Sequence, residues 1–190
     1  IRISFIIGSL NLGGTERHLI SLINNLDRNI FNIDLFLLNE EGNLFKELNP
    51  FVRVIKPKKP IFKKIDHFIN FFKVLYYLNL FKPQIIHCFL PQSYIFGGLI
   101  GWILKKKNVL MSRRSLNNYQ KKFKFIPISR IEKFLHSKVK YALGNSKAVI
   151  SQLEKEGVMK HKLKLIYNGV LKNNKTRLSK SSDFSILKKY

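Results

Sequence analysis

The chain opens with IRISFIIGSLNLGGTERHLISLI, residues 1–23, and this stretch decides the fold. An apolar run ends at Gly8, a short polar loop leads to Gly13 and Gly14, and apolar residues then recur at helical spacing from Leu19. The pattern predicts a buried strand, a glycine turn and the start of a helix. Because the two glycines carry no Cβ, a ligand or another backbone segment can approach the turn closely.

The glycine turn supports two interpretations. Thr15 is placed to cap the helix, and the unpaired N–H groups of the first helical turn form a potential anion site. A plain strand-to-helix connection with a good cap explains the same residues. Glu16, on the first turn, either pairs with a partner domain or is simply solvated. The glycines do not follow G-x-G-x-x-G, so the dinucleotide-binding fingerprint is absent.

Six further strand-like segments follow the opening unit. Their ranges are 32–38, 51–55, 84–90, 108–112, 139–144 and 162–167. Between them, helical spacing or composition indicates helices at 61–81, 94–104, 129–136 and 146–156 and a mobile loop at 116–126. This alternation predicts an α/β fold, a Rossmann-like open and mostly parallel sheet of about seven strands with helices on both faces. We assign residues 1–170 to that domain and the polar residues 171–190 to a linker or tail.

The charge of the chain is strongly positive. Thirty-five Lys and Arg residues oppose 11 Asp and Glu residues, which gives a formal net charge of +24. Between Lys105 and Lys140, twelve basic residues accompany one acid, Glu132. Such a surface favours nucleic acid, anionic lipid or phosphorylated substrates as partners. A compositional bias towards Lys, Asn, Ile and Phe explains the same charge without any partner.

Cysteine content and hydropathy limit the protein class. Cys88 is the only cysteine, so neither an intrachain disulfide nor a Cys-based zinc site can form, and a reducing cytosol fits best. The opening run lacks the basic region and cleavage site of a signal peptide. The most apolar window, 94–104, is much shorter than the roughly 20 residues that span a bilayer. The aromatic segment 61–81 suits either a helix packed on a sheet or a membrane surface.

Polar and glycine residues follow the predicted strands at one edge of the sheet, where open α/β sheets bind ligands. In chain order they are Gly13 and Gly14, His87, Arg113 and Arg114, Asn145 and Ser146, and Asn168 with Gly169. The carboxyl ends of five strands therefore carry candidates at the same edge. This convergence is stronger evidence for a binding site than any single residue.

Each candidate also has an ordinary structural interpretation. His87 is either a hydrogen-bonded core residue or a group that serves a substrate hydroxyl or phosphate near neutral pH. Arg113 and Arg114 point to opposite sides of an extended chain, so at most one faces a shared ligand, where its planar fork suits a carboxylate or phosphate. Ser146 is first a helix cap, and Asn168 is first a turn residue.

Several catalytic motifs are absent from the sequence. No Walker loop, H-E-x-x-H, G-x-S-x-G or Cys/His cluster occurs. Metal-dependent hydrolysis therefore has little support, and we expect no metal site.

Five short segments stand out together: GGTERHL at 13–19, KPQIIH at 82–87, SRRSL at 112–116, GNS at 144–146 and LIYNGV at 165–170. They resemble motifs of the family-4 glycosyltransferases of the GT-B architecture. They follow the family's order and span about residues 1–170. One departure is Gln84, which stands where the family usually has Asp.

The resemblance implies a two-domain enzyme with a cleft between two Rossmann-like halves, of which the amino-terminal half mainly binds the acceptor. The implied reaction moves a sugar from a nucleotide sugar to an envelope or polysaccharide acceptor, with retention and without a metal. No cofactor beyond that co-substrate is expected. By this analogy, Gly13 and Gly14 approach the donor phosphates or the acceptor. His87 lies near the transferred sugar, and Arg113 or Arg114 holds acceptor or phosphate charge.

Other departures concern the second half of the family's fold. The family's E-x7-E segment and its donor-phosphate Arg/Lys pair belong to a carboxyl-terminal domain that this chain lacks, and Leu171 replaces the Asp that often follows N-G-V. We therefore expect an acceptor-side fragment, inactive alone, with residues 184–190 as the start of the missing half.

The expected partners are a nucleotide sugar, a glycan or lipid-linked acceptor, the missing domain, and an anionic membrane surface at its cytoplasmic face. The alternative function is a non-catalytic basic module that binds nucleic acid or anionic membrane. Nucleic acid is the weaker choice, because no recognition motif such as an RNP sequence is present.

Overall fold

The computed structural model describes residues 1–57, 63–116 and 128–169, which form a single parallel sheet flanked by helices. The strands are β1 Arg2–Ile7, β2 Asn32–Leu37, β3 Arg53–Ile55, β4 Ile85–Phe89, β5 Val109–Arg113, β6 Tyr141–Gly144 and β7 Leu163–Leu165. The α-helices are α1 Gly14–Asn25, α2 Lys63–Phe81, α3 Pro91–Ile103, α4 Ile128–Lys138 and α5 Lys147–Lys155. Short 3-10 helices occupy Asn43–Glu47 and Lys160–Lys162.

The strand order is β3-β2-β1-β4-β5-β6-β7, and every neighbouring pair is parallel. The predicted Rossmann-like α/β fold is therefore confirmed. After β1 the chain builds outward to β2 and β3, and it then returns to place β4 on the other side of β1. This reversal creates the crevice between neighbouring loops in which open α/β sheets bind ligands.

Helices cover both faces of the sheet, as predicted. Successive side chains of a strand point to opposite faces, and because both sets are apolar here, each face is buried under helices. On one face, Phe5 and Ile7 of β1 belong to the same buried cluster as Leu19 of α1. On the other face, Ile6 belongs to a second cluster with Leu78 of α2. The buried, nearly continuous apolar strands are typical of a parallel sheet covered on two sides.

Helix starts differ in part from the sequence prediction. The N-cap of α1 is Gly13, which has no side chain to cap with, and Thr15 lies inside the first turn, so the predicted Thr15 cap is wrong. Helix α3 begins at Pro91, three residues earlier than predicted, because proline suits the first helical turn. The predicted Ser146 cap is confirmed, since its hydroxyl accepts from the Val149 N–H at 3.2 Å.

The chain segment that follows β2 holds the loop between β1 and α1 in place through backbone hydrogen bonds. The Leu10 N–H donates to the Glu41 carbonyl at 3.0 Å, and the Leu44 N–H donates to the Leu10 carbonyl at 2.8 Å. Gly42, between them, has φ +78°, and a Cβ there would collide with the Leu10 backbone. Only glycine fits this position without strain.

Two predicted regions fall outside the described residues: most of the loop at 116–126 and the tail at 171–190. The domain boundary at residue 170 stays a prediction. Within the described ranges, no helix is both long enough and apolar enough to cross a bilayer.

Candidate functional site

His87 lies in the middle of the central strand β4, two residues before its carboxyl end. Its Nε2 is 2.8 Å from the Ser112 hydroxyl of the neighbouring strand β5. The ring packs against Phe5 and Phe89, with centroid distances of 5.6 Å and 4.4 Å, and these two phenylalanine rings also contact each other at 6.2 Å. The imidazole is buried, and its orientation is fixed by packing against this aromatic pair and by a hydrogen bond.

The electrostatic environment keeps this imidazole neutral. Burial, with smaller effects from the charges of Arg114 and His18, lowers the pKa of His87 to about 3. The sequence left open a hydrogen-bonded core residue or a group that serves a substrate near neutral pH, and at this depth the protonated ring loses too much hydration to form readily. His87 can therefore exchange hydrogen bonds with a ligand hydroxyl, and it is a poor base at neutral pH.

The two adjacent arginines have separate environments. Arg113 is 3% exposed and forms ion pairs with Glu132, at 3.4 Å, and with Glu156. Arg114 points to the other side, where it donates to the Asn168 side-chain oxygen and its guanidinium lies 5.7 Å from the centroid of the Phe89 ring. Of the two arginines, only Arg114 lies at the carboxyl edge of the sheet. Arg113 has a structural role, because its ion pairs connect the end of β5 to α4 and to the end of α5.

Asn145 adds unpaired hydrogen-bonding capacity beside Arg114. Its amide nitrogen donates to the Arg114 carbonyl at 3.2 Å. Its Oδ1 and the Arg114 Nε are both buried, and neither has a hydrogen-bond partner among the described residues. Because buried polar atoms normally have partners, this donor and this acceptor indicate a position for a water or a polar ligand group.

His18, on α1, also belongs to the site. Burial and the charge of Arg114 lower its pKa, and its own charge contributes to the shift at His87. Because such effects act over short distances, His18 of α1, His87 of β4 and Arg114 after β5 lie close to one another. We did not single out His18 from the sequence, although it lies one helical turn beyond Gly14, on a helix opened by a glycine turn. The signal in the sequence was its position four residues after Gly14, which places both residues on the same side of the helix.

The two glycines of the opening turn differ in their surroundings. A Cβ on Gly13 would collide with the Glu16 carboxylate, so that carboxylate lies beside the start of α1, where helix N–H groups attract negative charge. A Cβ on Gly14 would meet no atom within 4 Å. The chain's own Glu16 thus fills the space beside Gly13, whereas Gly14 faces open space.

Further residues shape the flanks of the edge. The Ser146 hydroxyl caps α5, where it accepts a hydrogen bond from the Val149 N–H. Asn39 and Gln92 exchange two amide hydrogen bonds of 3.0 Å, joining the end of β2 to the start of α3. Leu90 precedes that helix with φ +71°, a strained conformation of the kind that clusters at functional sites.

The site contains no evident metal centre. Across the described ranges, no three His, Cys, Asp or Glu side chains come together as metal ligands would. The edge therefore combines a neutral imidazole, a guanidinium and amide groups. This is a parallel Rossmann-like domain with a polar edge at its topological switch point, where open α/β sheets bind ligands.

Comparison with known families identifies the class more closely. Residues 12–171 match the profile of Glycosyltransferase Family 4, and the chain belongs to that family. No curated protein matches it in sequence.

Solved structures of GT-B glycosyltransferases share the fold. The structure of Anabaena Alr3699/HepE in complex with UDP has a TM-score of 0.66 and 20% identity over 90% of this chain and 44% of that chain. The lipopolysaccharide outer core galactosyltransferase WaaB has 0.62 and 15%, over 90% and 46%. Sucrose-phosphate synthase from Thermosynechococcus elongatus has 0.62 and 19%, over 89% and 48%. The chain spans less than half the length of each.

Proposed function

We propose that the chain is the acceptor-side half of a two-domain glycosyltransferase. The enzyme transfers a sugar from a nucleotide sugar to an envelope or polysaccharide acceptor, with retention and without a metal. The observation that carries the proposal is the meeting of His87, Arg114, Asn145 and Asn168 at one edge beside the start of α1. The Alr3699/HepE structures contain UDP or UDP-glucose, which supports a nucleotide sugar as the donor.

In this proposal His87 touches the transferred sugar as a neutral hydrogen-bonding group. Ser112 and the two phenylalanine rings hold its orientation, so little freedom is lost when a sugar hydroxyl binds. Arg114 supplies positive charge for a phosphate, and its Nε and the Asn145 Oδ1 pair with polar groups of the ligand. The chain thus binds and orients substrates, with no proton transfer assigned to it.

We further propose that a second domain completes the cleft and binds most of the donor. This explains why the chain corresponds to 44–48% of the enzymes that share its fold. We place the reaction in the cytoplasm, at the cytoplasmic face of a membrane, with a glycan or lipid-linked acceptor.

A chimera tests the proposal. The donor-binding half of Alr3699/HepE is joined after residue 170, and UDP release from UDP-glucose is measured for the chimera and for the chain alone. We expect release by the chimera and none by the chain. His87→Ala and Arg114→Gln in the chimera should each reduce release by at least about tenfold, because each removes a positioned hydrogen-bonding group.

The matched control is Arg28→Gln in the chimera, which removes one exposed arginine in the loop that follows α1. It should leave release unchanged. Full release by the His87→Ala chimera would disprove the role of the edge. Turnover by the chain alone would disprove the half-enzyme proposal.

A further inference from the structure

Helix α2 exposes an apolar stripe along its outer side. Phe68, Phe72, Tyr76 and Leu80 follow one another at intervals of four residues, and each is between 49% and 66% exposed. Residues at this interval lie on one side of a helix. Single exposed apolar residues are ordinary, but a continuous stripe marks an interaction surface.

The apolar surface continues across α3 to α4. The Phe72 ring contacts Phe71, and Phe71 contacts Phe96 of α3, with centroid distances of 5.7 Å and 5.8 Å. At the end of α3, Trp102 is half exposed and packs edge-on against Phe134 of α4 at 5.3 Å. We call this surface the aromatic face and define it as Phe68, Phe72, Tyr76, Leu80, Trp102, Ile103 and Phe134.

Lysines surround a cavity at the Trp102 end of the aromatic face. The cavity has a volume of about 510 Å³, and Lys105, Lys106, Lys107 and Lys138 line it. No acidic residue occurs in the sequence between Asp66 and Glu132. Glu132 itself is buried against Arg113. The lining of the cavity therefore carries positive charge, and residues 67–131 contain no carboxylate that could neutralise it.

We propose that the aromatic face and this lysine cavity form a docking surface for an anionic phospholipid bilayer. Aromatic rings favour the boundary between headgroups and acyl chains, and lysines beside them attract headgroup phosphates. Nucleic acid would use the lysines but gives no reason for an apolar face along the length of α2.

Docking through this surface leaves the candidate site accessible. The cavity lies at the start of β5, beside Val109, whereas His87 and Arg114 lie at the opposite, carboxyl edge of the sheet. The inference uses none of the site residues. It can therefore hold or fail independently of the proposed transferase function.

Trp102 provides the readout, because it is the only tryptophan of the chain. The full chain is mixed with phosphatidylcholine vesicles that contain or lack phosphatidylglycerol, and with brominated versions of these lipids. We expect a blue shift and bromine quenching of Trp102 only with phosphatidylglycerol. Binding should weaken as salt is raised, because salt screens the attraction between the lysines and the surface.

Two variants test the two parts of the surface. Lys105→Gln, Lys106→Gln and Lys107→Gln together should reduce vesicle binding on the order of 100-fold, since each surface lysine contributes about fivefold. Phe72→Ser with Tyr76→Ser should reduce it by about tenfold or more at unchanged charge. The control combines Lys46→Gln, Lys147→Gln and Lys155→Gln, which removes the same charge at exposed positions elsewhere.

The control variant should bind within about threefold of the unmodified chain. Circular dichroism and thermal unfolding establish that each variant is folded. Equal losses in the control and in the lysine-cavity variant would overturn the proposal in favour of diffuse charge, and so would absence of vesicle binding. A dimer that buries Trp102, seen by light scattering, or RNA that displaces vesicles with the same variant dependence, would also overturn it.

Discussion

At the scale of single residues, Arg113 and Arg114 show how adjacent side chains acquire different roles. Arg113 neutralises two carboxylates in a buried cluster, where His136 accepts or donates a hydrogen bond of 2.9 Å with the Tyr94 hydroxyl. Arg114 lies at the candidate site and donates a hydrogen bond to Asn168. Alternation along β5 predicts opposite directions, and the surroundings decide which arginine serves the fold.

Substitution of each arginine should separate these roles. Arg113→Gln leaves the buried Glu132 and the partly buried Glu156 without their cation, so we expect a loss of about 3–5 kcal/mol in the free energy of unfolding. Arg114→Gln removes a partly buried side chain that has no carboxylate partner in the described residues, and it should cost less than about 1.5 kcal/mol. Urea unfolding measures both, and equal losses would contradict the assignment.

The buried imidazole of His87 should make stability depend on pH. Its pKa is about 3 in the folded chain and near 6.5 when unfolded, so the unfolded chain takes up a proton first as the pH falls. Stability from this group is complete above about pH 6.5 and declines towards pH 3. When the pH is lowered from about 7 to about 5, the free energy of unfolding should therefore fall by up to about 2 kcal/mol less for His87→Asn than for the unmodified chain.

His18, His136 and Glu132 also have shifted pKa values, and all three are common to both proteins. The pKa of His136 is lowered to about 4 by burial and acts in the same direction, whereas that of Glu132 is raised to about 7 by burial and acts in the opposite direction. The control is His161→Asn, at an exposed position. An unchanged pH profile for His87→Asn would contradict the buried, neutral state.

At the scale of elements, the strand-to-loop junctions are stabilised by glycines with different requirements. Gly42 is needed by the fold, because its φ is positive and the Leu10 backbone occupies the space of a Cβ. Gly14 is at the first position of α1 and has open space around it. The sequence drew attention to Gly13 and Gly14, but the strictest steric demand falls on Gly42.

Alanine at these two glycines should therefore have opposite effects. Gly42→Ala introduces a backbone collision and a strained conformation, and we expect a loss of more than about 2 kcal/mol in the free energy of unfolding. Gly14→Ala should be neutral or stabilise by up to about 1 kcal/mol, because alanine favours the helix. Chemical denaturation compares them, and an unaffected Gly42→Ala protein would refute the packing of the loop.

At the scale of the whole molecule, charge and apolar packing oppose each other. Two buried clusters, one on each face of the sheet, stabilise a chain whose net charge of +24 disfavours the compact state. The aromatic face adds an exposed apolar surface to this balance. The free chain is accordingly expected to be sensitive to ionic strength.

Raising sodium chloride from about 0.05 to about 0.5 M should stabilise the fold by on the order of 1 kcal/mol, because salt screens repulsion among the lysines. Thermal or urea unfolding at several salt concentrations measures this. The variant Lys46→Glu, Lys147→Glu and Lys155→Glu, with a lower net charge, should respond less. Destabilisation by salt would show that attractive ion pairs dominate.

The sequence by itself determined the order and type of most elements, because helix and strand periodicity are local properties of the chain. It also predicted the edge at which the candidate residues meet, since parallel strands bring their carboxyl ends together. Only the tertiary structure decided that Arg114 rather than Arg113 faces that edge, and that His18 joins it. The same holds for the aromatic face, which combines three helices. These features depend on contacts between residues far apart in the chain, which no local pattern records.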